Sequence, residues 1–306
     1  MNLHVIVGAG AVGSTAAQLL AERGDRVRMV TRSGSGPSHP AIELVAADAT
    51  DADRLAALAE GAVALYNCAN PLYHRWLTDW PPLASSLLAA ATRSGAALVT
   101  MGNLYGHGPV DEVMTAHTPL AATHPKLRLR ADMWRDALAR HEAGQIRAVE
   151  VRASDFLEAR SVFSEALGNP LLAGRRGYVP APLDVPHTFT STTDAARTLV
   201  AVATDERAFG RAWLVPSNPA LTVRQLADRF VAVNGAPKAR LTEIPHLAVR
   251  AIGLFAPFIR ELETTRYQFT SPYIMDATET TDVFALHPTP LDDVLRATAA
   301  RLRAAA

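Results

Sequence analysis

Apolar and polar positions alternate in blocks along the chain, and the blocks predict strands and helices in turn. Leu3-His4-Val5-Ile6-Val7 reads as a strand, and Val12 to Glu22 as a helix with Leu19 and Leu20 on its apolar side. Further strands are predicted at Arg26–Val30, Ile42–Val45, Val63–Tyr66, Ala96–Thr100 and Ile146–Val151. Helices are predicted from Ala52 onward, near 83–94 and near 127–142, and Pro71 stops regular structure after the fourth strand. Strands alternating with helices predict an α/β chain with a Rossmann-type, doubly wound parallel sheet.

The later half is less regular. Phe189–Thr193 reads as a strand, Asp194–Ala203 as a helix and Arg211–Val215 as the last sheet strand, and Thr222 is placed to cap a further helix. The expected division is a nucleotide domain over 1–153 and a smaller C-terminal substrate lobe over 154–306, with 187–215 returning to the sheet. Phe156, Phe163, Phe255, Phe258, Tyr267, Phe269 and Tyr273 read as lobe core or as the lining of an apolar pocket. Ala248 to Ile259 is a very apolar stretch interrupted by Pro257, either buried or at a cleft mouth.

Between the first strand and helix lies Gly8-Ala9-Gly10-Ala11-Val12-Gly13, which fits G-x-G-x-x-G in a strand–turn–helix context. Gly8 permits the tight turn, Gly10 lets the backbone approach a pyrophosphate, and Gly13 lets helix and strand pack closely. The N–H groups at the helix start, with Ala11 and Val12, then hold phosphate. The second strand runs into Thr31-Arg32-Ser33-Gly34 with no carboxylate to hold a ribose 2′-hydroxyl. Arg32 and Ser33 are placed to hold a 2′-phosphate, so NADP(H) is expected over NAD(H). The alternative for Arg32 is an exposed loop arginine. Asp48, followed by Ala49, reads as an acceptor for an adenine amino group or as the cap of the next helix. Ala69 and Asn70, in Asn67-Cys68-Ala69-Asn70, let the chain pass close to the cofactor.

Composition narrows the setting. The chain has 306 residues and is 49% hydrophobic, enough for a large core. Thirty basic and thirty acidic residues cancel, which favours neither nucleic acid nor an anionic membrane. The single cysteine, Cys68, excludes an internal disulfide and a multi-cysteine metal site. The histidines lack metal-ligand spacing, so no metal is expected. No basic segment and cleavable apolar stretch opens the sequence, and no run of about 18 apolar residues occurs. A cytoplasmic protein without a membrane span is expected.

In order along the chain, these motifs resemble the extended or atypical short-chain dehydrogenase/reductases, especially the NAD-dependent epimerase/dehydratase group. The glycine motif and the Asp48 turn match. Leu104-Tyr105-Gly106 resembles the family's V-Y-G, and Pro125-Lys126-Leu127-Arg128-Leu129-Arg130-Ala131-Asp132 sits where the family has P-Y-G-x-S-K-A-E. Arg152-Ala153-Ser154-Asp155-Phe156 resembles R-x-x-N-V. His187 to Asp194-Ala195-Ala196 resembles R-D-Y-I-H-V-x-D-V-A, and Pro288-Thr289-Pro290-Leu291 resembles P-x-P-L. The resemblance implies hydride chemistry on a small-molecule substrate. It also implies a homodimer through the helices near 83–94 and 127–142.

The departures fall on the catalytic positions that the resemblance implies. Met101 stands where the family's reductases carry Ser or Thr, Lys126 where they carry Tyr, and Arg130 where they carry Lys. Arg130 suits the ribose-holding role but not proton donation, because guanidinium stays protonated. Proton transfer then falls to Lys126, Tyr105 or water, with Asp155 as a base or hydroxyl acceptor after strand six. Asn103, His107, Asp155 and His187 are the candidate substrate contacts; for His107 and His187 the plain alternative is a loop histidine. The leading expectation is an NADP(H)-dependent oxidoreductase on a small or apolar carbonyl or hydroxyl compound. The alternatives are a non-redox isomerase, lyase or cyclase on the same fold, or an NADP-sensing regulator.

Overall fold

The computed structural model describes residues 1–158, 161, 163–254, 261 and 263–305. Seven parallel strands form the central sheet: β1 (Leu3–Val7), β2 (Arg26–Thr31), β3 (Ile42–Ala46), β4 (Ala62–Asn67), β5 (Ala97–Asn103), β6 (Ala148–Ala153) and the edge strand Ala212–Leu214. Their spatial order is Ala212–Leu214, β6, β5, β4, β1, β2, β3. The order reverses between β1 and β4, which is where ligands bind in such sheets. Val5, Ile6 and Val7 are all buried, as a strand covered on both faces requires.

Helices cover both faces. α1 (Ala11–Glu22) contributes Ala16, Ala17 and Leu20 to one layer, packed with Ala195, Ala196 and Leu199 of the helix Thr192–Val202. α2 (Ala52–Leu58), α3 (Trp76–Ser94) and α4 (Pro125–Glu142) form the other layer around Leu55, Trp80, Leu87 and Trp134. The sequence predicted the α3 region only from 83, after Pro81 and Pro82, yet the helix begins at Trp76. The prolines cannot donate to the preceding turn. Burial of Trp76 and Trp80 offsets that loss.

The smaller lobe has its own apolar core, including Leu157, Phe163, Leu167, Phe230 and Leu295. Within it β7 (Asp155–Phe156) and β8 (Gly177–Val179) each take a partner outside the central sheet. β7 pairs with β9 (Phe189–Thr190), so the strand predicted over Phe189–Thr193 is shorter and joins this ribbon. It ends because Ser191 turns its side chain onto the Thr193 N–H and caps the helix Thr192–Val202. That helix and the strand Ala212–Leu214 do return to the main layers. Thr222 caps the helix Val223–Val233 as expected, with Gln225 completing a capping box. Phe255, Pro257 and Phe258 lie outside the described residues. Among the described residues, no helix is long and apolar enough to cross a membrane.

Two buried carboxylates tie the lobe to the sheet. Glu158 accepts from the Ser191 hydroxyl at 2.6 Å and from the Thr192 N–H at 2.9 Å, at the positive end of a helix. Asp194 accepts from the Thr289 hydroxyl at 2.7 Å and its N–H at 2.8 Å, anchoring the Pro288–Leu291 segment. We expect Glu158→Ala to lower unfolding free energy by about 2–3 kcal/mol, because it strips a buried charged acceptor from two donors. A urea titration would measure this, and a change within about 0.5 kcal/mol would mean that the tie is not stabilising.

Candidate functional site

The three motif glycines do different jobs. Gly8 has φ +103°, and a Cβ there would lie 2.7 Å from the Cys68 carbonyl oxygen. A Cβ on Gly13 would lie 2.1 Å from the Gly8 carbonyl oxygen. Gly10 faces open space, with nothing within 4 Å of where its Cβ would be. Gly10 is also the N-cap of α1, has extended backbone and offers no side chain to the helix end. The first turn carries no acidic residue, so its N–H groups and dipole remain available to an anion. A dinucleotide pyrophosphate fits this cradle.

A cleft of about 1110 Å³ runs from this loop along the strand ends into the smaller lobe. At one end it is lined by Gly8, Gly10, Ala11, Val12, Arg32, Ser33, Asp48 and Ala49, and Ala69 and Asn70 cross its floor. Gly13 is not in the lining, because its part is the close packing of α1 beneath the turn. Arg32 is exposed and enters no ion pair among the described residues. Ser33 Oγ lies 2.9 Å from Ser35 Oγ. Asp48 is not the cap of α2, since Asp51 accepts from the Arg54 N–H in that role. Asp48 instead accepts from the N–H and hydroxyl of Thr50 at 2.9 and 2.8 Å, which holds its carboxyl below the usual range.

Deeper in the cleft, Met101, Asn103, Tyr105, Arg130 and Asp155 come together at the ends of β5 and β6. Arg130 is buried, donates to the Met101 carbonyl at 2.9 Å and lies over the Trp80 ring at 4.6 Å. Its Nε has no partner among the described residues. Burial lowers its pKa, and Glu150 opposes that shift. Asn103 Oδ1 accepts from the Tyr105 N–H at 3.1 Å and so braces the turn after β5. Burial first, and the Asp155 charge second, push the Tyr105 hydroxyl well above its ordinary value.

The other candidates lie elsewhere. Lys126 does not line the cleft; its ammonium pairs with Glu261 and sits 4.8 Å over the Tyr73 ring. His107 is not a loop histidine at the cleft wall either, because it is fully buried. Its Nδ1 contacts the Pro119 carbonyl at 3.1 Å, and its Nε2 lies 3.5 Å from Arg152, which pairs with Glu150 at 2.7 Å. His187 is also buried outside the lining, with Nε2 3.0 Å from Asp155 Oδ2. Tyr73, Trp76, Trp80, Ser154, Arg266 and Gln268 line the cleft without having been singled out from sequence. Only the aromatic clustering of 73–80 carried any local signal.

No protein-family model matches the chain, and no curated protein matches it by sequence. Solved structures do. UDP-glucuronic acid 4-epimerase from Bacillus cereus, in complex with NAD, matches at 14% identity over 98% of this chain and 96% of its own, TM-score 0.79. The dTDP-glucose 4,6-dehydratase DesIV from Streptomyces venezuelae, with NAD bound, matches at 19% identity over 99% and 97%, TM-score 0.75. The enzyme WbmH from Bordetella bronchiseptica, in complex with NAD+, matches at 20% identity over 99% and 98%, TM-score 0.74. At these identities the likeness is one of fold: this chain has the Rossmann-like architecture of NAD-dependent epimerase and dehydratase structures.

The buried histidine makes stability depend on pH. Desolvation first, and the Arg152 charge second, lower the His107 pKa from 6.5 to about 4. The native state therefore refuses a proton that the unfolded chain accepts below pH 6.5. Its contribution is fully present above pH 6.5 and is lost as pH falls toward 4, a change of about 3 kcal/mol. We expect urea titrations to show that His107→Gln flattens the loss of stability between pH 6.5 and 4. An unchanged slope would assign the acid sensitivity to other groups.

Proposed function

We propose that this protein is a nicotinamide-dinucleotide-dependent enzyme that moves hydride to or from a small carbonyl or hydroxyl substrate. The observation that carries the reading is Gly10, which opens the helix N-terminus of α1 onto a cleft whose deeper wall presents Arg130 and Asp155. Bound there, the dinucleotide would supply a hydride donor or acceptor. Gly8, Gly10, Ala11, Val12 and Gly13 would hold its pyrophosphate, Ala69 and Asn70 would pass beside it, and Asp48 and Ala49 would meet the adenine. Arg130 would present positive charge to the nicotinamide ribose. The apolar lobe wall of Phe163, Leu167, Val179 and Phe269 supports a substrate with an apolar portion.

NADP(H) is the proposed cofactor, although the three similar structures above carry NAD. Arg32 and Ser33 follow β2 where an NAD site places a carboxylate, and the exposed Arg32, in no ion pair among the described residues, supports engagement of a 2′-phosphate. A redox-neutral reading, with the dinucleotide regenerated within each turnover, is favoured by the similar folds that carry the names epimerase and dehydratase. Stoichiometric NADPH consumption with product would exclude it. A cytoplasmic homodimer through α3 and α4 belongs to the same proposal.

Titration with NADPH and NADH, followed by tryptophan fluorescence from Trp76 and Trp80 in the cleft, tests the cofactor reading. Arg32→Ala should weaken NADPH binding by about tenfold or more, the loss of one charge-assisted contact, and leave NADH within about twofold. Gly13→Ala should abolish binding of both, since its Cβ would lie 2.1 Å from the Gly8 oxygen. Tighter binding of NADH by the wild type would reject the NADP(H) assignment. No binding of either would reject the dinucleotide reading.

A further inference from the structure

Lys126 is held by Glu261 and Arg130 cannot release a proton, so the group that exchanges protons with substrate must be sought elsewhere. Asp155 directly follows β6 and lines the cleft. Its side chain is 28% exposed, yet Oδ2 is buried and lies 3.0 Å from His187 Nε2. Oδ2 has no hydrogen-bond partner among the described residues, so the approach of His187 is a close ion-pair contact. His187 is fixed from its other side, where Nδ1 lies 3.0 Å from the Gln268 carbonyl oxygen. A carbonyl only accepts, so Nδ1 carries a hydrogen. Nε2 then faces Oδ2 with its remaining lone pair or with a proton. At that distance an N–H on Nε2 attracts the carboxylate oxygen, whereas a bare lone pair on Nε2 repels it.

The ring cannot turn to escape this arrangement. It stacks on Phe269 at 4.6 Å and 3°, and packs against Phe189 at 4.7 Å and Tyr273 at 5.2 Å. Ser154 Oγ, 3.5 Å from Nε2, is placed to cover that nitrogen when the proton leaves.

We propose that Asp155 exchanges a proton with bound substrate, and that His187 is the positioning residue that holds its carboxyl through the shared proton. The inference rests on the hydride-transfer reading above. In the direction of alcohol oxidation, the substrate O–H bond breaks and its proton passes to Asp155. The C–H pair leaves as hydride to an oxidised nicotinamide dinucleotide, and the C=O bond forms. Reduction runs the same steps backward.

The groups facing Asp155 do not compete for this role. Tyr73, Tyr105, Tyr267 and Tyr273 all interact with its charge. Burial pushes the Tyr267 hydroxyl up to about 12 and the other three above their ordinary value, so the phenols stay neutral and frame the carboxylate.

The test uses the full chain. Histidine ¹⁵N spectra are compared for wild type and Asp155→Asn, with His187→Gln identifying the His187 signals. The expected result is a displaced His187 Nε2 resonance in Asp155→Asn while Nδ1 stays protonated. An unmoved Nε2 resonance would overturn the proton pair, and neither result needs a substrate. Against a panel of alcohols and carbonyls with NADP⁺ and NADPH, Asp155→Asn should lower turnover about 10²–10⁴-fold and keep NADPH affinity within about twofold. It should also lose the acidic limb of the kcat/KM profile, whereas His187→Gln should move that limb. Wild-type rates with the limb intact in Asp155→Asn would overturn the role of Asp155. If neither dinucleotide binds, the hydride reading fails, and the His187 spectrum still decides the pair. If His187→Gln does not fold, Asp155→Asn alone carries the comparison, because its side chain reaches the cleft and keeps its shape.

Discussion

The close approach of α1 to the ends of β1 and β4 is the constraint on which the rest of the site depends. It exists because two side chains are missing. A Cβ on Gly8 would run into the Cys68–Ala69 backbone, and one on Gly13 into the Gly8 carbonyl. With both absent, the helix start sits at the point where the strand order reverses, and its unpaired N–H groups face the cleft. Cys68 lies in this contact, half-buried and packed against the core, with its thiol pushed up to about 12 by desolvation.

Beneath the deeper end of the cleft lies a buried charged layer. Glu150 and Arg152 project from alternate positions of β6, Arg130 comes from α4, and neutral His107 closes the row. Gly102 makes room for it, since a Cβ there would meet the Glu150 carboxyl at 2.7 Å. Such groups are expensive to bury unless each has partners. Here the Met101 carbonyl and the Trp80 face hold Arg130, and burial, with the Arg152 charge second, keeps His107 uncharged. The layer therefore fixes the cleft wall, while Asp155, two residues beyond the end of β6, keeps access to whatever enters.

Much of the sheet was legible along the sequence. The strand and helix order, the glycine turn and the Thr222 cap all follow from local periodicity and turn chemistry, and the boundaries moved by a few residues. The α3 start was hidden by Pro81 and Pro82, because burial of Trp76 and Trp80 outweighs two lost helix bonds. Motif order put Tyr105 after strand five, Asp155 after strand six and Arg130 in the helix between those strands. The fates of the two histidines were not readable, because Gly106-His107-Gly108-Pro109 has the composition of an exposed loop.

The sequence by itself determined what depends on neighbours a few residues away: strand and helix periods, caps, and glycines where a Cβ is forbidden. Tertiary structure decided which polar side chains reach the cleft. Lys126 and Arg130 lie one helical turn apart, yet Glu261, 135 residues from Lys126, withdraws one, while the Trp80 face and the Met101 carbonyl draw in the other. His187 takes its orientation from Gln268, 81 residues away. Local backbone geometry is set by nearby sterics, whereas burial and pairing of charge are set by distant segments that meet only when the chain is folded.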